Sequence, residues 1–172
     1  MENKTIKIIK NRVSCRNYTD KKVPLSKLKL IAEAGMMAPS ACNKQIANIL
    51  ILKDSKKVKK LRDLAIKELK RDCFYGASCM ILVYANRNEK FAVQDCTCIL
   101  ENMFIAASSL NINSCWINQV DELLLTNDGS KIKKSLGIDN EARIVGTCIL
   151  GYCANKDELK IKERKKDFIK IV

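Results

Sequence analysis

The chain has 172 residues, enough for one domain with a sizeable core but cramped for two independent cores. Apolar residues make up 47% and charged residues 30% of it, which is typical of a globular protein and excludes a disordered or fibrous one. The sequence contains no histidine, so a Ser-His or Cys-His nucleophile cannot be built and a zinc site is not expected. We predict a single domain over residues 1–172.

The formal net charge of +13 favours an anionic partner, and a basic nucleic-acid-binding domain is one hypothesis. The lysines, however, are spread over predicted helix faces, and the few aromatic residues are not interleaved with them as stacking platforms. We therefore expect no nucleic-acid partner. A smaller phosphate, such as that of a nucleotide cofactor, would need only two or three of these cations.

Two further patterns concern the compartment. No apolar run approaches the length needed to cross a bilayer, and the N-terminal residues open an amphipathic segment instead of a signal peptide. We expect no membrane partner and a cytoplasmic location. Nine cysteines, an odd number scattered through apolar runs, are typical of reduced core thiols and not of a disulfide framework.

The first predicted element is a short amphipathic helix containing residues 5–9. In residues 11–18, the polar side chains of Arg12, Ser14 and Arg16 alternate with apolar ones. In an extended backbone alternate side chains point to one side, so two guanidinium groups and a hydroxyl would share a face that suits a phosphate. The alternative is an edge segment with two solvated arginines, which is the better interpretation of these residues taken alone.

Residues 38–45, with the sequence APSACNKQ, lie between a predicted helix over residues 25–37 and a predicted strand over residues 46–52. Pro39 disfavours the helical conformation at the residue before it, so the helix should end there. The apolar, branched run that follows predicts an interior strand. At this junction a rigid scaffold can present neutral hydrogen-bonding side chains to a ligand: Ser40, Asn43 and Gln45. The alternative is that they are ordinary loop residues bonded to their own backbone.

The remaining periodicities predict six elements: a surface helix over 54–70, a buried strand over 79–85, a long helix over 91–110, a short strand or turn over 113–117, a short helix over 132–136 and a strand over 142–152. The long helix is apolar on several faces, which indicates burial, and is our main reason from the residues for expecting a dimer. After Tyr152 the chain is basic and then ends in apolar residues. Such a tail should dock on a partner subunit or on the sheet edge.

Five segments, in this order along the chain, resemble the nitroreductase family. Residues 12–16 look like its Arg-Arg-Ser-x-Arg, with Val13 in place of the second arginine, and residues 38–45 look like its Ala-Pro-Ser-x-x-Asn-x-Gln. Residues 106–117 resemble its long helix and the Gly-x-x-Cys-Trp-Ile segment that follows. Residues 144–152 resemble its strand ending in Gly-Tyr. The Lys-x-Arg of residues 162–164 falls where the family's C-terminal Lys/Arg pair reaches the cofactor phosphate.

The resemblance implies an α+β fold in which helices flank a central, mainly antiparallel sheet. It also implies a homodimer with a C-terminal arm, and FMN held by both subunits. One set of residues would bind the phosphate and ribityl end from one chain: Arg12, Val13, Ser14, Arg16, Lys162 and Arg164. A second set would reach the flavin at least partly from the other chain: Pro39, Ser40, Asn43 and Gln45. Asn118 and Gln119 fall where family members place backbone donors near the reactive nitrogen of the flavin.

The activity implied by the resemblance is ping-pong transfer of electrons from NAD(P)H through FMN to a small-molecule acceptor such as a nitroaromatic or a quinone. The flavin carries this chemistry, so no catalytic side chain is named and the lack of histidine is no obstacle. The alternative is a flavin-binding or sensing protein with little turnover. It is suggested by Ile46 and Ala47, which follow Gln45 and stand where the family often has Pro-Trp. A further departure from the family's pattern is Cys153, which replaces the common proline after Gly-Tyr.

Overall fold

The computed structural model describes residues 2–155, 157 and 159–172. In these residues the chain forms the following elements: α1 Lys4–Asn11, α2 Leu25–Met36, a 3-10 turn Ala41–Asn43, β1 Asn48–Leu52, α3 Ser55–Leu69, β2 Cys79–Asn86, α4 Ala92–Ser109, β3 Asn113–Ile117, α5 Val120–Leu125, α6 Asn127–Ser135 and β4 Ala142–Gly151. Across the described part of the chain, no helix is long and apolar enough to span a membrane.

The four strands form one sheet in the order β1-β2-β4-β3, and each neighbouring pair is antiparallel. The prediction of an interior strand at residues 46–52 is wrong, because β1 pairs with β2 alone among the described strands and forms an edge. The strand is nevertheless apolar on both sides, because helices cover both faces of the sheet. Ile49 and Ile51 pack towards one face, and Leu50 and Leu52 pack towards the other. A continuous apolar run therefore indicates that both faces of a strand are covered. It does not indicate whether both edges of the strand are hydrogen-bonded to other strands.

Two hydrophobic cores lie on opposite faces of this sheet. Met80 and Leu82 of β2 belong to the core under α3 and α5, whereas Ile81 and Val83 belong to the core under α2 and α4. Helix α2 packs closely on α4: a Cβ on Gly35 would lie 2.8 Å from Cγ of Met103. This close packing fixes the end of α2, and therefore the start of residues 38–45, against α4.

Most predicted elements are present with ends that differ by a few residues. Helix α3 begins after Asp54, whose Oδ1 accepts a hydrogen bond from Lys56 N at 2.8 Å. The sequence prediction missed α5 and began α6 too late. Thr126 ends α5 and also caps α6, since its Oγ1 accepts from Gly129 N at 3.1 Å. Two short helices that share one boundary residue give no continuous helical period to detect.

All nine cysteines are free thiols, as predicted. Seven are buried, and only Cys42 and Cys98 are exposed. Burial raises the pKa of Cys15 and of Cys96 to about 12, and that of Cys79 to about 11. These buried thiols are protonated at neutral pH, so they are weak nucleophiles.

We therefore expect at most two thiols of the folded protein to react rapidly with Ellman's reagent at pH 7–8, and all nine after denaturation. The Cys42→Ser and Cys98→Ser variants should each remove at most one fast equivalent. The variant that carries both substitutions should show no fast equivalent, and any fast equivalent in it would contradict the burial described above.

Candidate functional site

The segment after α1 runs along the outer edge of β3. Ser14 forms a parallel bridge with Ser114, and Cys15 N donates a hydrogen bond to Ser114 O at 3.0 Å. Cys15 is buried, while Arg16 is exposed and Arg12 half-buried. The extended backbone predicted from the polar-apolar alternation is therefore present, and it is fixed by pairing with the sheet.

The chain beyond β4 returns past this segment. Tyr18 bridges Cys153, Thr19 N donates to Tyr152 O at 2.8 Å, and Ala154 N donates to Asn17 O at 2.9 Å. These bonds direct the tail so that two remote parts of the sequence line one cavity of about 190 Å³: Arg12, Val13, Ser14, Arg16, Lys160, Ile161, Lys162 and Arg164. We call this the basic cavity.

The basic cavity concentrates positive charge. Five of its lining residues are cationic: Arg12, Arg16, Lys160, Lys162 and Arg164. None of the ion pairs formed among the described residues involves any of them. The guanidinium of Arg12 lies 5.6 Å from the ring centroid of Phe104, a contact that orients it without neutralising it. Cations that converge in this way, without a carboxylate partner in the described part of the chain, repel one another and favour an anion between them.

The charge of this cavity also reaches the buried thiol of Cys115. Burial raises the pKa of Cys115, while Arg16, a hydrogen bond from Ser14 and Arg12 all act in the opposite direction. The arginines of the cavity therefore offset part of the effect of burial on the pKa of this thiol.

The loop over residues 40–45 forms a second cavity with the end of α2 and the first half of α4. The cavity has a volume of about 300 Å³, and its lining includes Pro39, Ser40, Gln45, Ala47, Asp95 and Ile99. We call it the loop cavity. The Oγ of Ser40 accepts a hydrogen bond from Gln45 N at 3.1 Å, and Asn43 Oδ1 accepts from Gln45 Nε2 at 3.1 Å. The alternative of backbone bonding therefore applies to Ser40, whereas Asn43 and Gln45 bond each other.

The backbone of this loop is strained. Cys42, Asn43 and Gln45 adopt φ values of 53°, 53° and 51°, in the left-handed region. Asparagine tolerates this region, but cysteine and glutamine do so at a cost of about 1–3 kcal/mol each. Strain of this kind persists only when the surroundings hold the chain in place.

The other predicted site residues lie at the end of β3. Asn118 is exposed, and Gln119 is the half-buried N-cap residue before α5, its carbonyl accepting a hydrogen bond from Leu123 N at 3.0 Å. Neither residue lines the basic cavity or the loop cavity. Asn43 lines neither cavity and is tied to the loop cavity only through its bond to Gln45. The two cavities share no lining residue, so a single chain brings the other predicted residues together as two separate groups.

Two charged lining residues were missed from the sequence. Lys160 precedes Lys162 and Arg164 at a spacing of two, the same extended alternation that marks Arg12 and Arg16, and this signal could have identified it. Asp95 interrupts the apolar face of the long helix, and a charged residue in such a position was also visible in the sequence.

Residues 9–152 match the sequence model of the Nitroreductase family. The chain belongs to the nitroreductase family. An Archaeoglobus fulgidus protein provisionally named NADH dehydrogenase/NAD(P)H nitroreductase is 29% identical over 170 residues, covering 95% of this chain and 92% of the relative.

Solved structures of the nitroreductase family share this fold. A Bacteroides fragilis nitroreductase with bound FMN is 32% identical with a TM-score of 0.91, covering 99% of this chain and all of that one. A Desulfitobacterium hafniense nitroreductase with bound FMN is 25% identical with a TM-score of 0.87, over the full length of both chains. The predicted fold class, α+β with helices flanking an antiparallel sheet, is confirmed. The homodimer and its C-terminal arm stay predictions.

Proposed function

We propose that this nitroreductase-family chain is an FMN-dependent oxidoreductase. It would accept electrons from NAD(P)H and deliver them, in a ping-pong cycle, to a nitroaromatic, a quinone or a similar small acceptor. One observation carries the proposal: five cations without a carboxylate partner in the described chain converge around Ser14. Two similar structures that contain bound FMN support it.

The residues of the basic cavity fit the phosphate of FMN. A phosphate monoester carries about two negative charges at pH 7 and accepts several hydrogen bonds, which suits guanidinium and ammonium donors beside a hydroxyl. We assign this contact to Arg12, Ser14, Arg16, Lys162 and Arg164, with Val13 lining the same cavity. Its volume of about 190 Å³ is below the ~300 Å³ at which whole-ligand pockets usually begin, so the flavin ring must lie outside it.

We assign the flavin ring and its ribityl chain to the loop cavity of a second copy. Pro39, Ser40, Asn43 and Gln45 would supply this contact. Among the described residues, Asn43 Nδ2 and Gln45 Oε1 have no hydrogen-bond partner, which leaves one amide donor and one amide acceptor for a ligand. Backbone groups at Asn118 and Gln119 would approach the reactive nitrogen, an assignment that rests on the family resemblance.

Bound FMN supplies the hydride and electron transfer chemistry itself. The side chains of this protein bind and orient the cofactor, and none is assigned a proton-transfer step. The loop cavity is lined by apolar Pro39, Ala47 and Ile99 beside a few polar groups, a surface that suits a flat aromatic donor or acceptor.

A homodimer would complete this site. Large apolar side chains of α2 and the loop after it are exposed in the single chain, as are those of the tail: Leu30, Met36, Met37, Phe168, Ile169 and Ile171. Phe168 is 81% and Ile171 96% exposed, so the tail does not dock on the sheet edge of its own chain. We propose that a second copy covers these residues, since exposed apolar groups of this size mark interaction surfaces.

The visible absorbance spectrum of the purified protein, before and after addition of FMN and removal of the excess, tests the proposal. We expect flavin bands that stay with the protein, and oxidation of NADH or NADPH when a quinone is supplied. A colourless protein that does not take up FMN would overturn the cofactor assignment.

A second candidate is a flavin-binding or sensing protein with little turnover. Ala47 lines the loop cavity directly beside Gln45, where the family often has a tryptophan, so the wall that would orient a substrate is reduced to a methyl group. Tight FMN binding without NADH or NADPH oxidation would favour this candidate over the first.

A further inference from the structure

One buried carboxylate has no role in the assignments above. Asp95 lies in the first turn of α4, is 5% exposed and lines the loop cavity. Its Oδ1 accepts a hydrogen bond from the backbone N of Ala41 at 3.0 Å. Its Oδ2 is buried and has no partner among the described residues. Among the described residues, the bond from Ala41 is therefore the one hydrogen bond that the carboxylate of Asp95 accepts.

This arrangement is not explained by stability. Removing a carboxylate from water with half of its oxygens unsatisfied is unfavourable, and an apolar side chain would suit the neighbouring buried Ala92 and Cys96 better. The N-terminus of α4 offsets part of this cost, because the helix dipole favours a negative charge there. A buried group that stays under-satisfied calls for a reason other than packing.

The hydrogen bond of Asp95 holds a strained loop. Cys42, Asn43 and Gln45 are all in the left-handed region, and the bonds of Ser40 and Asn43 with Gln45 stay within the loop. Among the described hydrogen bonds of residues 40–45, the one from Ala41 to Asp95 reaches another element. Without it, the loop would be free to relax towards ordinary backbone angles.

We propose that Asp95 is a positioning residue for the cofactor. Its carboxylate holds Ala41, and through Ala41 it keeps the loop in the shape in which Ser40, Asn43 and Gln45 face the flavin. The inference rests on the proposed function, since it takes FMN as the ligand of this loop. Asp95 itself need not touch the ligand.

Four variants of the full-length chain test this role. Asp95→Ala removes the acceptor, and Asp95→Leu removes it while filling the space, which covers the case in which the alanine variant does not fold. Asp95→Asn keeps an Oδ1 acceptor without the charge. Glu101→Ala is the matched control, because Glu101 is an exposed acid on the same helix. FMN dissociation constants are measured by fluorescence titration, and hydrogen exchange at Ala41 is measured on the FMN-free chain.

We expect Asp95→Ala and Asp95→Leu to weaken FMN binding about tenfold relative to Glu101→Ala, with Asp95→Asn losing much less. Exchange at the Ala41 amide should accelerate in the alanine and leucine variants and stay slow in the asparagine variant. This rescue separates positioning through the hydrogen bond from an effect of the charge.

Two results would overturn the proposal. In the first, Asp95→Ala and Asp95→Leu bind FMN as tightly as Glu101→Ala does. In the second, the asparagine variant is as impaired as the alanine variant. If the unaltered chain binds no FMN, the proposed function fails, while exchange at Ala41 still reports whether Asp95 holds the loop.

Discussion

Replacing Arg16 or Arg164 with alanine is expected to weaken FMN binding by about 1–3 kcal/mol, or roughly 5-fold to 150-fold in the dissociation constant. Both side chains line the basic cavity, one from the segment beside β3 and the other from the tail. Each would lose a charge-assisted hydrogen bond to the phosphate. Because neither forms an ion pair with a described residue, the folded chain should lose little stability.

The control for this experiment is Arg71→Ala, an exposed arginine outside the basic cavity that removes the same charge. Arg16→Lys keeps the charge but not the planar guanidinium, and its loss should be smaller than that of the alanine variant. Isothermal titration calorimetry at two salt concentrations gives both the affinity and its electrostatic part. Wild-type affinity in both alanine variants would contradict the phosphate assignment.

Replacing Phe168, Ile169 and Ile171 together with serine is expected to dissociate the dimer. Each side chain is more than 80% exposed in the single chain, and covering it in the dimer would contribute about 1.5–3 kcal/mol. Loss of all three should raise the dimer dissociation constant by at least about a thousandfold. FMN binding should fall with it, because the loop cavity and the basic cavity share no residue within one chain.

Analytical ultracentrifugation across a protein dilution series measures this effect. Lys166→Ser with Lys170→Ser is the matched control, since it alters the same tail without removing apolar surface. Dimers of unchanged stability in the triple variant would show that the tail does not hold the partner. A wild-type protein that is monomeric at all concentrations would contradict the shared site directly.

The strands and long helices of this chain were predictable because their signals are local. The period of Val58, Leu61 and Leu64 marks one face of α3, and the continuous apolar run of β2 marks a strand covered on both faces. The failures were at α5 and α6, which are short and share Thr126 as a boundary. Helices of six and nine residues leave too few positions for a helical period to be recognised.

The sequence predicted which residues belong to the site better than it predicted how those residues are arranged in space. The alternation of Arg12, Ser14 and Arg16 predicted the extended segment, and the family resemblance identified Lys162 and Arg164 as their partners. Neither pattern predicts the pairing of Tyr18 with Cys153, which directs the tail towards the segment that contains Arg12 and Arg16. Nor could the sequence show that Asp95 would meet Ala41, since 54 residues separate them.

The sequence by itself determined the family, the fold class and most of the elements, because motif spacing and hydrophobic period are properties of neighbouring residues. Only the tertiary structure decided that β1 is an edge and that a buried carboxylate on α4 holds the strained loop. These features depend on which distant segments pair and pack together. The hydrophobic pattern of a segment indicates how much of its surface is buried. Which other elements bury it is set by contacts between residues that are distant in the sequence.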